Sequence, residues 1–451
     1  MSEKTQSSQA TKGLPDVSRS LIWMINFGFL GVQTAFTLQS SQMSRIFQTL
    51  GADPNSLGWF FILPPLAGLL VQPVVGYYSD RTWAPKLGGR RLPYLLLGTL
   101  IAVIVMILLP NSGSFGFGYG SLAALLFGAI TVAFLDVSSN MAMQPFKMMV
   151  GDMVNDDQKS YAYGIQSFLS NTGAVIAAVL PFLFAYMGLK NTAAKGVVPQ
   201  TVVVAFYVGA ALLIITSLFT IFKVKEYDPE TYALYHGIST EANEEKVSWI
   251  QLLKTAPKAF WTVTLVQFFC WFAFQYLWTY SAGAIAENVW HTTNATSQGY
   301  QAAGNWYGVL AAVQSIAAVV WSYVLAKVPN KYHKAGYFSS LLLGALGFLS
   351  IFFVSNQYVL IVSYILVGIA WAGINTYPLT IVTNALSGNH MGTYLGLFNG
   401  SICLPQIVAS LLSFGLFPLL GGHQANMFLA AGIVLALGAF SVLLIKETHE
   451  A

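Results

Sequence analysis

Apolar stretches of about 20 residues recur along the chain, and they constrain its fold more than any other feature. Each is long enough to cross a bilayer as an α-helix, and unbroken apolar runs do not fit the alternating pattern of a β-barrel. Of the 451 residues, 55% are hydrophobic and 8% are charged, whereas soluble domains carry about a quarter charged residues. The sequence therefore predicts an all-α membrane protein with twelve transmembrane helices, at approximately 20–43, 57–79, 92–110, 120–148, 160–187, 201–223, 257–282, 303–326, 335–355, 357–384, 391–418 and 425–446.

The positive charges predict how these helices are oriented. Cytoplasmic loops of membrane proteins carry an excess of Lys and Arg. If the N-terminus is cytoplasmic, all of the 21 Lys and Arg residues fall in cytoplasmic segments except Arg45, Lys190 and Lys195. The sequence therefore predicts that both termini are cytoplasmic. The same bias accounts for the net charge of +4, so we infer no nucleic-acid partner from that charge.

One long polar interruption divides the chain between the sixth and seventh predicted helices. It predicts an N-terminal six-helix bundle at 19–223 and a C-terminal six-helix bundle at 257–446, joined by a cytoplasmic linker at 224–256. A disordered cytoplasmic N-terminus at 1–18 and a short tail at 447–451 complete the chain. The Tyr, Trp and Leu residues of the linker fit a short amphipathic helix at the membrane surface. A flexible linker with one helical turn fits them equally well, and both interpretations stay open.

Asp136 lies deep inside the fourth apolar stretch, and no other acidic residue has such a position. A carboxylate in the membrane interior is costly unless it is protonated, paired or hydrated. Asn140 follows one helical turn later, whereas Lys147 lies about 16 Å further along the helix, too far to neutralise the charge. Burial without a nearby cation favours the protonated form. Asp136 is therefore a candidate proton carrier, with a purely structural hydrogen bond between helices as the alternative.

Amide side chains and tryptophans at mid-helix depth are the candidate substrate contacts, because they offer neutral hydrogen-bonding groups and flat apolar surfaces to an uncharged polar molecule. In the seventh helix, Gln267 begins a series with spacings of four, four and three residues, which places its members on one face. The candidates are Gln39, Gln42, Asn140, Gln166, Asn171, Trp271, Gln275, Trp278, Asn375 and Asn399. Each can instead form a structural hydrogen bond between helices.

The loop after the second apolar stretch begins with a Gly-x-x-x-Asp-Arg pattern and continues to a Gly-Arg-Arg, over residues 76–93. This loop resembles the signature of the major facilitator superfamily, with several extra residues between the acid and the two Arg. Because of that insertion, we assign no separate roles to the Arg residues. The predicted gating or structural residues are Gly76, Asp80, Arg81, Arg90, Arg91, Lys147 and Asp152.

A narrower resemblance extends over both halves. GVQTAFTLQSSQ at 31–42, LVQPVVGYYSDR at 70–81 and LDVSSNMAMQPFKMMVGDMV at 135–154 are similar to the sucrose/proton symporters. NALSGNHMGTYLGLFNGSICLPQI at 384–407 is similar to the bacterial and animal branch of the same glycoside–cation symporter family. The resemblance implies that Asp136 binds the coupling proton and contacts the sugar. Lys147 stands where plant relatives tend to have Arg, and the first outer loop lacks the His that those relatives carry.

These features together predict a transporter. The second apolar stretch contains no acid, and a lone carboxyl favours H⁺ over Na⁺, which prefers several oxygen ligands. We therefore expect a proton-coupled symporter that imports a disaccharide α-glucoside, maltose or sucrose, as a multi-pass protein of the cell membrane and a monomer. A non-transporting sugar sensor and a metabolite or drug exporter are the alternatives. No catalytic pattern, metal site or cofactor motif is predicted.

Overall fold

The structure of the protein is a computed structural model that describes residues 13–236, 249–325, 327–385 and 391–445. These residues form fifteen α-helices together with short 3-10 segments. The helices are α1 (Arg19–Leu50), α2 (Leu57–Phe61), α3 (Leu63–Asp80), α4 (Leu92–Leu108), α5 (Leu122–Met153), α6 (Asp156–Tyr186), α7 (Gln200–Lys223), α8 (Pro229–His236), α9 (Trp249–Thr255), α10 (Lys258–Trp290), α11 (Gln298–Leu325), α12 (His333–Phe353), α13 (Leu360–Ala385), α14 (Met391–Leu419) and α15 (Met427–Val442).

Twelve spans of the described chain are long and apolar enough to cross a membrane, which confirms the predicted number. Helices α2 and α3 together make the second span, and α8 and α9 belong to the linker. Several spans continue further than predicted, and the two longest extensions take α1 as far as Leu50 and α10 as far as Trp290. The added turns carry polar side chains such as Arg45, which hydropathy scores as loop but which the fold buries.

The helices pack as two six-helix bundles, again as predicted. In the N-terminal half α1 packs against α6 and α7, and α4 packs against α5. In the C-terminal half α12 packs against α13 and α15, and α10 packs against α14 and α15. The predicted terminal segments and linker lie partly or wholly outside the described residues, and the orientation of the termini stays a prediction.

The linker contains more helix than one turn. Helix α8 begins after Asp228, whose carboxylate accepts hydrogen bonds from the backbone N–H groups of Glu230 and Thr231. Such a side chain satisfies donors that the first turn of a helix leaves free. The helix also rests on the N-terminal half, because the His236 Nε2 atom lies 3.0 Å from the backbone oxygen of Asp152. The described part of the linker therefore contains two short helices, and α8 is docked on the N-terminal half.

Helices α1 and α7 approach closely at Gly31. A Cβ atom added at Gly31 would overlap the Thr216 side chain and lie only 2.6 Å from the Leu213 Cα atom. Helices in membranes gain much of their packing from small residues that let backbones come together. This glycine therefore fixes the spacing of the two helices.

We predict that Gly31→Ala lowers stability by about 1–3 kcal/mol, because the added methyl forces α1 and α7 apart. Gly164→Ala in α6 is the matched control, since a Cβ there meets no described atom within 4 Å. Alanine at an unhindered helical position should raise stability slightly. The measurement is thermal unfolding in detergent, and equal midpoints for the two variants would contradict the assignment.

Candidate functional site

Asp136 is fully enclosed in α5, with 0% of its surface exposed. Its Oδ1 atom accepts a hydrogen bond of 2.6 Å from the Gln39 Nε2 atom of α1. The Oδ2 atom has no hydrogen-bond partner among the described residues, and neither has the Gln39 Oε1 atom. A buried carboxyl that touches only a neutral amide is strongly disfavoured as an anion. The surroundings therefore suit a carboxyl group that takes up and gives up a proton.

Asn140 links α5, next to Asp136, to a second helix. Its Nδ2 atom donates to the backbone oxygen of Asp136 at 2.9 Å, as expected for a residue one turn along the same helix. Its Oδ1 atom accepts a hydrogen bond of 2.8 Å from the Gln72 Nε2 atom of α3. The sequence analysis missed Gln72, although it stands in one of the segments that carry the family resemblance.

The two halves of the molecule meet next to Asn140, at Gly68 of α3. A Cβ atom at Gly68 would lie 3.7 Å from the Asn140 Oδ1 atom and 3.7 Å from the Cys403 Sγ atom of α14. One turn before Cys403, the Asn399 Nδ2 atom approaches the same sulfur at 3.8 Å. We call this neighbourhood the Asp136 cluster, and it comprises Gln39, Gln72, Asp136, Asn140, Asn399 and Cys403.

Three tryptophans lie together in the C-terminal half. The ring centroid of Trp371 in α13 lies 5.4 Å from that of Trp271 and 6.0 Å from that of Trp278, both in α10. The Trp271 Nε1 atom is buried and has no partner among the described residues. Trp371 was not predicted, but it precedes Asn375 by one turn, and the exposed Asn375 donates to its backbone oxygen. We call Trp271, Trp278 and Trp371 the tryptophan cluster.

Other predicted substrate contacts form hydrogen bonds elsewhere in the protein. Gln275 donates to the backbone oxygen of Phe61 and to the Ser410 hydroxyl, so it joins the two halves. Gln166 donates to the Asn26 side chain and to a backbone oxygen of α5, inside the N-terminal half.

Two further candidates also lie outside the Asp136 cluster. Asn171 donates to Ser167 of its own helix. The Gln42 Oε1 atom accepts a hydrogen bond from Arg45. In this conformation Gln166 and Gln275 donate to other helices, whereas Gln42 and Asn171 form their described hydrogen bonds within their own helices. Their roles as substrate contacts stay predictions.

Lys147 is exposed and lies three turns from Asp136 on nearly the same face of α5. It takes part in none of the ion pairs that join described residues. Asn375 is exposed as well, on α13 of the other half.

Hydrogen bonds between the halves gather near the end of α1. The Ser44 hydroxyl donates to the backbone oxygen of Thr279 at 2.7 Å. The amides of Gln48 and Gln424 exchange two hydrogen bonds, of 2.9 and 3.2 Å. We call this the Arg45 end of the molecule, and the distribution of Lys and Arg predicts that it faces the outside.

Arg91 organises the opposite end of the N-terminal half. Its guanidinium, 2% exposed, forms ion pairs with Asp80 at 2.5 Å and with Asp152 at 3.0 Å. Arg90 also pairs with Asp152, at 3.1 Å, and lies over the Tyr232 ring of α8. The predicted residues Asp80, Arg90, Arg91 and Asp152 therefore form one cluster that ties α3, α4, α5 and α8 together.

Glu226 completes this cluster, and the sequence analysis missed it. Its carboxylate accepts hydrogen bonds from the backbone N–H groups of Arg91 and Leu92, at the start of α4. Burial raises the pKa of the Glu226 carboxyl, although these backbone hydrogen bonds oppose the shift. An acid at a helix N-terminus also interacts favourably with the helix dipole.

Two predicted residues of the signature loop lie apart from these ion pairs. A Cβ atom at Gly76 would meet no described atom within 4 Å. Arg81 is exposed, donates to the backbone oxygen of Tyr77 and lies over its ring. Among the described residues, neither takes part in the ion-pair cluster.

Twelve membrane spans in two bundles, with polar side chains buried where the bundles meet, define a multi-pass membrane protein of the transporter class. The sequence model of the Major Facilitator Superfamily matches residues 25–410. The chain belongs to this superfamily, which confirms the resemblance of its signature loop.

The curated relatives are named as sugar transporters. The sucrose transport protein SUC4 of Arabidopsis thaliana is 22% identical over 93% of this chain and 89% of its own length. The sucrose transport protein SUT5 of Oryza sativa subsp. indica is 24% identical over 84% of this chain and 79% of its own length. A general alpha-glucoside permease of Schizosaccharomyces pombe is 24% identical over 62% of this chain and 51% of its own length.

Solved structures share the fold at low sequence identity. The nucleoside transporter NupG, in a mutant form, has a TM-score of 0.71 and 14% identity over 95% of this chain and 100% of its own. A bacterial homolog of the human lysosomal transporter Spinster, solved inward-facing and unoccupied, has a TM-score of 0.63 and 15% identity over 96% of this chain and 100% of its own.

We predict that Asp152→Asn destabilises the protein more than Asp80→Asn does. The Asp152 side chain is 15% exposed and faces two Arg residues, whereas Asp80 is 52% exposed. Loss of a largely buried ionic partner costs about 3 kcal/mol, and loss of an exposed one less than about 1 kcal/mol. Thermal unfolding in detergent measures both, with Asp53→Asn in an exposed loop as the control. A larger loss for Asp80→Asn would contradict this ranking.

Proposed function

We propose that the protein is a proton-coupled symporter that imports a disaccharide α-glucoside, maltose or sucrose, across the cell membrane by alternating access. The observation that carries the proposal is the Asp136 carboxyl, which is buried without a counter-ion next to the junction of the two halves. The names of the relatives support the substrate class. The protein works as a monomer in this proposal, since each chain holds both halves.

The chemistry of the Asp136 cluster favours a proton as the coupling ion. A sodium ion binds several oxygen ligands, and the second span offers no acid before Asp80 at its end. A single carboxyl in an apolar bundle can instead be neutralised by one proton. Protonation would remove the cost of the buried charge and turn the Asp136 oxygen into a donor for a sugar hydroxyl.

The two clusters offer the groups that a disaccharide needs. Asn140, Asn399 and Gln39 carry amides that donate and accept hydrogen bonds. The tryptophan cluster offers flat apolar surface and the free N–H of Trp271. Because the Asp136 cluster includes residues of both halves, a sugar bound there would contact both and couple its binding to their movement.

The contacts between the halves suggest which state the structure represents. The Arg45 end, predicted to face outside, is joined by several hydrogen bonds between the halves, and Lys147, predicted to lie in a cytoplasmic segment, is exposed. This arrangement fits an inward-facing carrier that releases sugar and proton into the cytoplasm. Rocking of the two halves around the midplane would then reopen the Arg45 end.

The remaining alternatives make different predictions. A sugar sensor binds sugar without exchange, so counterflow of labelled sugar in proteoliposomes distinguishes it from a symporter. An exporter moves its substrate in the opposite direction to an imported proton. Alkalinisation of the medium, measured while maltose, sucrose and other glucosides are added in turn, tests the coupling ion and identifies the sugar.

We predict that Asp136→Asn abolishes sugar accumulation against a gradient, because an amide cannot carry the coupling proton. Counterflow of labelled sugar should persist, since it needs binding and conformational exchange but no net proton movement. Asp53→Asn, in an exposed loop, is the control and should accumulate sugar normally. Accumulation by Asp136→Asn at the unmodified level would disprove the role of Asp136.

We predict that Trp271→Phe raises KM for the sugar about tenfold and leaves thermal stability nearly unchanged. Phenylalanine keeps an aromatic ring but removes the N–H, which has no described protein partner. One lost hydrogen bond costs about 1 kcal/mol or slightly more. Trp321→Phe is the matched control, because the Trp321 N–H donates to Ser340 within the protein. Trp321→Phe should lower stability without changing KM. If Trp271→Phe instead lowers stability and leaves KM unchanged, Trp271 is excluded as a sugar contact.

A further inference from the structure

Arg45, in the penultimate turn of α1, is completely buried, with 0% of its surface exposed. Its guanidinium forms none of the ion pairs that join described residues. Neutral amide oxygens bind it instead: Gln301 Oε1 at 2.6 Å, Asn305 Oδ1 at 2.7 Å, Asn191 Oδ1 at 2.9 Å and Gln42 Oε1 at 3.2 Å. We call these five residues the Arg45 cluster.

The members of the Arg45 cluster come from both halves of the molecule. Arg45, Gln42 and Asn191 belong to the N-terminal half, whereas Gln301 and Asn305 lie on α11 of the C-terminal half. The Asn305 Nδ2 atom also donates to the Asn191 Oδ1 atom at 3.0 Å, across the same boundary. The guanidinium therefore bridges the halves at the end where their other hydrogen bonds gather.

The fold makes room for this side chain. A Cβ atom at Gly304 would lie 2.6 Å from the Arg45 Cδ atom and 2.9 Å from its Nε atom. These atoms lie in the middle of the side chain, which cannot move without losing its four partners. A glycine at position 304 thus lets α11 pack directly over the guanidinium.

We propose that Arg45 is the residue that reversibly closes the Arg45 end during transport. Closure would bring the Gln301 and Asn305 oxygens to a guanidinium that has just lost its water. On opening, the guanidinium would regain water and keep Gln42 and Asn191, which move with it. Neutral acceptors suit a contact that must break repeatedly, because no unpaired carboxylate is left behind. This role rests on the proposed alternating access but not on the identity of sugar or ion.

The acceptors on the two halves provide matched variants. Asn305→Ala removes a hydrogen bond that exists only in the closed state, so it should shift the equilibrium towards opening at the Arg45 end. Gln42→Ala removes a hydrogen bond that both states share, so it should leave the equilibrium unchanged. Gly304→Ala should also favour opening, by steric conflict with Arg45. If these residues merely stabilise the fold, all three variants would lower the unfolding midpoint without changing the equilibrium.

Distances between spin labels measure the equilibrium directly. Exposed positions Thr192 and Thr293 report on the Arg45 end, and exposed positions Lys86 and Lys331 report on the opposite end. The labels are placed in the full chain with Cys270 and Cys403 replaced, and distances are recorded in lipid nanodiscs without sugar.

We expect Asn305→Ala to raise the open-to-closed ratio at the Thr192–Thr293 pair about tenfold, equivalent to about 1.4 kcal/mol. Gly304→Ala should shift it in the same direction, and the Lys86–Lys331 pair should shorten. Equal distance distributions for Asn305→Ala, Gln42→Ala and the unmodified chain would overturn the proposal. Because no sugar or proton gradient is used, this result is independent of the transport tests of Asp136.

Discussion

A charged group that has left water must find its solvation inside the protein, and this requirement shapes both halves of the molecule. Asp136 and Arg45 are each 0% exposed and take part in none of the described ion pairs. Amide side chains replace the counter-ion in both places. Gln39 donates to the carboxyl group, and four amide oxygens surround the guanidinium. Hydrogen bonds to a charged group stabilise by about 1.5–3 kcal/mol each, while burial of an ion costs several kcal/mol. At Asp136 one such hydrogen bond leaves the anion disfavoured, and protonation removes that cost. At Arg45 four such bonds come close to offsetting burial, so movement of one half can change the balance.

The described ion pairs have a different distribution. Arg90 and Arg91 pair with Asp80 and Asp152 entirely within the N-terminal half. Breaking a buried ion pair leaves an uncompensated charge, so such a cluster is suited to contacts that never separate. The hydrogen bonds between the halves have neutral acceptors, both where the Arg45 guanidinium is the donor and where amides pair, as between Gln48 and Gln424. The protein thus places its least reversible interactions inside one bundle and its more reversible ones between bundles, which is the arrangement that rocking of two rigid bundles requires.

Hydropathy was sufficient to predict twelve spans, because the bilayer admits helices only where some 20 apolar residues follow one another. It placed the end of the first span too early. Arg45 and its polar neighbours lower the local hydropathy, and the sequence therefore put Arg45 in an outer loop. The fold instead continues α1 to Leu50 and buries the Arg side chain among amides that lie up to 260 positions away. A local score cannot detect that compensation, since the compensating residues belong to other helices.

The candidate site shows the same division between local and distant information. Asp136 could be predicted because an acid within an apolar run is conspicuous by itself, and Asn140 because one turn separates them. The contact of Asp136 with Gln39, 97 positions away, depends on which helices become neighbours.

The sequence also could not separate amides that serve packing from amides that are available to a ligand. Gln275 and Gln39 look alike in a helix, yet Gln275 uses its amide group as a donor to two protein oxygens. The Gln39 Oε1, Asp136 Oδ2 and Trp271 Nε1 atoms keep unused capacity among the described residues. Unused hydrogen-bonding capacity in a buried place is costly to a protein that only needs to fold. The unused Gln39 and Asp136 oxygens belong to side chains that are hydrogen-bonded to each other, and two such atoms side by side argue for a ligand at Asp136.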